Sequence, residues 1–123
     1  MYKLQFYEDD QGNKPAYDYI RELYSKKDKK NRVQANKVRQ YIKYLKQLGT
    51  YVGEPIVKHI GGGIWELRPA KDRIFFVVYH EGVYVLLHAF TKKTQKTPKS
   101  ELDRARAEYK DLLERGLKKN GER

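Results

Sequence analysis

RIFFVVYH and VYVLLHAF, residues 73–80 and 83–90, are two strongly hydrophobic runs separated only by Glu81-Gly82. Two residues ending in glycine are enough for a tight β-hairpin and too few for any crossover, so these runs must pair antiparallel. If Glu81-Gly82 is the loop, His80 faces Val83, Phe75 faces His88 and Arg73 faces Phe90. Directly opposed residues share a sheet face. One face is then expected to carry Ile74, Phe76, Val78, Val83, Val85, Leu87 and Ala89, and the other Arg73, Phe75, Val77, Tyr79, Tyr84, Leu86, His88 and Phe90. A one-residue slip would invert the assignment.

Other strands can be read around this hairpin. IWELRP (64–69) places Trp65 and Leu67 with the apolar face and sends Glu66 and Arg68 to the other. VKHI precedes it across a glycine triplet at 61–63, which lacks the lysine and Ser/Thr of a phosphate loop and reads as a flexible turn. Tyr2, Leu4 and Phe6 alternate with polar residues and predict a first strand over residues 2–8. Residues 10–49 read as a helical hairpin. Asn13 and Pro15 open its first helix along Ala16, Ile20, Leu23 and Tyr24, and Val38, Tyr41, Ile42, Leu45 and Leu48 stripe the second up to Gly49. Thr97-Pro98 starts a last helix with Leu102, Ala105, Tyr109, Leu112 and Leu113 on one stripe, and the tail from Leu117 reads as frayed. The expected fold is α+β: one domain, an antiparallel sheet of about four to five strands, an N-terminal helical hairpin and a C-terminal helix.

Charge bounds the function. Twenty-seven Lys+Arg against 16 Asp+Glu give a net charge of +11, a field suited to a polyanion such as nucleic acid. An aromatic content of 13%, with eleven tyrosines, argues against disorder. The absence of cysteine excludes disulfides and thiolate metal sites. No stretch approaches the roughly 20 apolar residues of a membrane span, and a cytoplasmic protein with no membrane association and no metal is expected. Between Thr91 and Ser100 stand four lysines and no acid. On the hairpin register Glu66, Arg68, Arg73, His88 and Lys92 converge on one sheet face, with Lys93, Lys96 and Lys99 at its rim. This predicts a cationic, aromatic-lined concavity.

The run from Gly63 to Tyr109, and within it H-x-F-x-K-K-T-x-K-T-P followed by E-x-x-x-A, resembles the HigB branch of the RelE/ParE toxin superfamily, including its phage-protein relatives, over about residues 57–110. The resemblance implies a RelE-like fold and a toxin that cleaves messenger RNA on the translating ribosome, with no cofactor, neutralised by a HigA-like helix-turn-helix antitoxin. By position, Arg68, Arg73 and the Lys92-Lys93 pair match the family's basic residues. RelE itself has lysines where this chain has Ile64 and Glu66. Metal-free cleavage needs cations on the phosphate oxygens, for which Arg68, Arg73 and Lys93 are the candidates. Glu66, His88 or a ribosomal RNA group could transfer the proton. Lys92, Lys96 and Lys99 would hold backbone phosphates, and Phe75 or Tyr84 could stack on bases. A ParE-like gyrase inhibitor and a non-catalytic RNA-binding module are the alternatives.

Overall fold

The computed structural model describes residues 1–80 and 82–117. The elements run β1 (Lys3–Phe6), α1 (Pro15–Ser25), α2 (Lys29–Leu48), a 3₁₀ turn (Gly49–Val52), β2 (Val57–Gly61), β3 (Ile64–Leu67), β4 (Asp72–His80), β5 (Val83–Thr91) and α3 (Lys99–Arg115). This is the expected α+β order. The five strands lie β1-β5-β4-β3-β2. Four follow the chain as antiparallel neighbours, while β1 joins parallel to β5, so the sheet is mixed rather than wholly antiparallel. The chain between β1 and β5 includes the α1–α2 hairpin and three strands, well beyond the crossover length that a parallel pairing requires.

The hairpin ends register as expected, with His80 opposite Val83, Phe75 opposite His88 and Arg73 opposite Phe90. Between those ends the pairing is shifted. Phe76 lies opposite Leu86 and Val78 opposite Tyr84, so Leu87 is an unpaired extra residue on β5 and Tyr79 one on β4. Each is a single-residue β-bulge, and because they sit on opposite strands their offsets cancel. The expected faces are therefore corrected in the middle of β5. Ile74, Phe76, Leu67, Tyr84, Leu86 and Ala89 pack toward the helical hairpin. Phe75, Val77, Ile64, Val85, Leu87 and Phe90 pack with Ala105 and Leu112 of α3. Both faces of the sheet are thus covered, and the predicted open platform is confined to the sheet end beyond the start of α3.

Helix boundaries follow their caps. Pro15 opens α1, whose cap residue is Lys14, while Asn13 belongs to the preceding turn, its backbone N–H donating to Asp9. Asp28 caps α2 by accepting from the Asn31 backbone N–H. Gly49, at φ 60° and ψ −151°, stops α2 in a conformation that suits glycine alone. Its stripe buries Gln34, Ala35, Val38 and Leu45 and leaves Leu48 at the surface. Leu113 is likewise exposed on α3. Of the tail expected to fray, residues 118–123 lie outside the described residues.

Candidate nucleic-acid interface

The β3–β4 turn, Pro69 to Lys71, is the local device that positions the site. Ala70 sits at a left-handed φ of 54°, which turns the chain tightly. The Asp72 carboxylate is buried beneath it and is held from three elements. Gln34 of α2 donates from Nε2 to Asp72 Oδ2 (2.6 Å) and to the Pro69 carbonyl (2.9 Å), and the Tyr19 and Thr91 hydroxyls donate to Asp72 Oδ1. Burial, reinforced by Asp72, pushes the Tyr19 phenol well above its ordinary pKa. A buried carboxylate with this many donors is satisfied and rigid.

That rigidity is passed to Arg73. Its Nη1 donates to the carbonyls of Ala70 (2.7 Å) and Asp72 (2.8 Å). Its Nε lies 3.8 Å from Glu66 Oε1, and Arg68 Nε lies 3.4 Å from the same oxygen. The other carboxylate oxygen, Oε2, accepts from the Thr97 hydroxyl at 3.0 Å. One buried carboxylate therefore serves two guanidinium groups that converge from neighbouring strands, and the Nε–H of each is buried without a hydrogen-bond partner. Burial lowers the Arg73 pKa from its ordinary value, Glu66 opposes that and the Arg68 charge adds to it. Two guanidinium charges share one carboxylate, so the cluster carries an uncompensated positive charge that favours an anion.

An open groove of about 580 Å³ adjoins Arg73 and is lined by Lys71, Lys92, Lys93, Thr94 and Gln95. A backbone bond from Lys92 N to the Lys71 carbonyl (2.8 Å) ties the lysine loop to the β3–β4 turn. Arg68, Arg73, Glu66, Lys92 and Lys93 are thus brought to one end of the sheet. Lys96 and Lys99 stay exposed outside the groove lining, and Lys99 pairs with Asp103 at 2.8 Å.

The remaining candidates sit elsewhere. His88 is wholly buried, with Nδ1 2.6 Å from Glu108 Oε1 and Nε2 2.9 Å from Glu101 Oε1, so it ties β5 to α3 and is closed to a substrate. Phe75 is fully buried under α3 against the His88 and Phe90 rings. Tyr84 lies on the opposite face, stacked on Tyr2 with its hydroxyl accepting from the Thr50 backbone N–H. Neither ring is open to a stacking base, because the bulged register and the α3 layer take up the faces counted as free. Glu66 itself is 1% exposed and reaches solvent only through the arginines it holds. Sequence reasoning missed Lys71, Thr97 as the tether of Glu66, and the Gln34–Asp72 support. Lys71 alone had a signal, its place in the turn between the two arginines.

The profile of the phage-derived protein Gp49-like family (DUF891) matches residues 20–110, which spans α2, the hairpin, the lysine loop and most of α3. The chain belongs to the Gp49-like family. That family lies within the RelE/HigB-like toxin group, and its matched segment contains every residue of the cationic cluster. Comparison with curated proteins finds no match. Among the described residues no helix of this Gp49-like chain is long and apolar enough to cross a membrane.

Proposed function

We propose that this Gp49-like protein is the toxin of a toxin–antitoxin pair that cleaves messenger RNA on the ribosome without a metal, and that a HigA-like helix-turn-helix antitoxin neutralises it. The observation that carries the reading is the pair of guanidinium groups sharing the single Glu66 carboxylate, which leaves a net positive charge beside the Lys71–Lys92–Lys93 groove. Attack of a 2′-hydroxyl on the adjacent phosphorus loads negative charge onto the non-bridging oxygens. Fixed cations aimed at those oxygens stabilise the transition state without reorganising during the reaction. Arg73 and Arg68 take that role, Lys93 and Lys92 hold flanking phosphates, and Glu66 is a positioning residue that orients both guanidinium planes. Proton transfer falls to groups outside the buried His88–Glu108 pair, ribosomal RNA included.

Arg73→Ala removes one such contact and is expected to lower cleavage of a translated message by about 10²- to 10³-fold. Primer extension on the message, with circular dichroism to verify the fold, measures this. Full activity in a folded Arg73→Ala protein refutes the assignment. Inhibition of gyrase supercoiling by the parent protein, with no cleavage of translated message, refutes the nuclease reading in favour of a gyrase poison.

A further inference from the structure

α2 breaks a rule that α3 obeys. Over its 20 residues it carries seven lysines and arginines and no acid. Three of them, Lys29, Lys30 and Arg32, stand in the first turn, where the positive end of the helix dipole disfavours cations by about 0.3–1 kcal/mol each. The ion pairs of the described residues involve no α2 side chain, whereas on α3 Lys99, Arg104, Arg106 and Arg115 all pair with acids on the same helix. A sequence that accepts a local electrostatic conflict over a whole element is compensated elsewhere, and functional surfaces are where such conflicts occur.

The geometry gives the conflict a location. Lys26 and Lys27 from the α1–α2 link, with Arg32 and Arg39 from α2, line a groove of about 400 Å³ that also contains Tyr24 and Asn36 but no acid. Arg39 is fixed there, its guanidinium 4.0 Å above the Tyr24 ring and its Nη1 donating to Asn36 Oδ1 at 3.0 Å. The nearest acid in sequence, Asp28, is committed to capping α2. Lys29 and Lys30 line a separate, mostly apolar groove together with exposed Val33 and Lys71, and Lys71 also lines the groove beside Arg73. Cations thus continue from the lysine loop, across the β3–β4 turn, to the α1–α2 end of the molecule.

We infer that the α1–α2 end is a second docking face whose occupant is the phosphodiester backbone of RNA. Spaced cations with one immobilised guanidinium match a repeating phosphate, and the polar lining of the Lys26–Arg39 groove lacks the apolar centre on which a protein partner is usually seated. This face goes beyond the nuclease reading and does not depend on it, since binding is measured whether or not the sheet end cleaves.

The test replaces Lys26, Lys27, Arg32 and Arg39 by Gln together and measures fluorescence anisotropy at several salt concentrations. The probes are a single-stranded RNA 20-mer, an RNA hairpin with the same number of phosphates, and polyglutamate of equal charge. Because each phosphate contact to a single strand contributes about 0.7 to the slope of log K against log salt, the slope is expected to fall by about 2 to 3. A control with Lys3, Lys58, Arg106 and Lys110 replaced by Gln changes net charge equally and is expected to keep most of the slope. Preference for the hairpin assigns the face to helical RNA such as the ribosome's, and preference for the single strand assigns it to the message. An unchanged slope on both RNAs, an equal loss in the control, or a larger loss on polyglutamate than on RNA overturns the inference.

Discussion

Removing the charge of Glu66 while keeping its shape isolates the feature on which the candidate site is built. In Glu66→Gln two guanidinium groups remain side by side with no counter-charge. A unit pair at the observed 3.4 and 3.8 Å attracts by roughly 4 to 5 kcal/mol per arginine at an effective dielectric of about 20. Solvent reaches the arginine side chains, 23% and 12% exposed, and desolvation of the carboxylate opposes the pairing. The net destabilisation is therefore expected to be about 2 to 4 kcal/mol. Urea denaturation followed by circular dichroism reads this as a lower midpoint at unchanged slope. The arginines left behind form an anion site, so inorganic phosphate should restore stability to the variant, by about 2.7 kcal/mol at a hundredfold excess over its Kd. The parent protein, whose carboxylate already occupies the centre, should gain less. A variant as stable as the parent and indifferent to phosphate would mean that the two guanidinium groups are solvated independently and that Glu66 does not hold them together.

Other expectations follow from single positions. Gly49→Ala would set a methyl group against the Tyr84 hydroxyl and within 2.8 Å of the Tyr2 ring, whereas at Gly53 it would meet only the Tyr51 carbonyl oxygen, 3.9 Å away. Both substitutions strain a positive φ, but only the first overpacks. Gly49→Ala should therefore cost about 1 to 3 kcal/mol more than Gly53→Ala in chemical denaturation, and equal costs would refute the packing shown. Hydrogen bonds from Arg115 and then from Tyr7 hold the Asp111 carboxyl down at about 2. Its folded pKa is depressed, so its contribution is present above the usual carboxylate value of about 4 and is lost as pH falls toward 2. Asp111→Asn should flatten the acid limb of stability in thermal melts between those values, and an unchanged limb would show that other carboxylates control it.

The order of elements was legible because alternation, helical spacing and turn residues are local signals, and the Glu81-Gly82 loop placed both ends of β4 and β5 in register. The convergence of Arg68 and Arg73 followed from that register. The bulges at Tyr79 and Leu87 were not legible, since an extra residue in a continuous apolar run leaves no mark in hydrophobicity. They moved Tyr84 and Leu86 to the helical-hairpin side and Val83, Val85 and Leu87 to the α3 side. The parallel docking of β1 is a long-range event that its four-residue strand does not encode. His88 looked available because its two acidic partners come from a helix 13 and 20 residues further along the chain. Gln34 and Thr97 act through atoms that only the tertiary structure brings to Asp72 and Glu66.

The paired bulges also say where this chain can change length. Tyr79 and Leu87 are each opposed by no residue of the neighbouring strand, so excising either would make the ladder regular at that point, with its flanking partners still matched and the other bulge in place. Excising a paired residue such as Val77 would instead reverse the side chains on one side of the cut. The arm that presents Arg73 therefore has two places where a residue can be dropped while the guanidinium stays where it is.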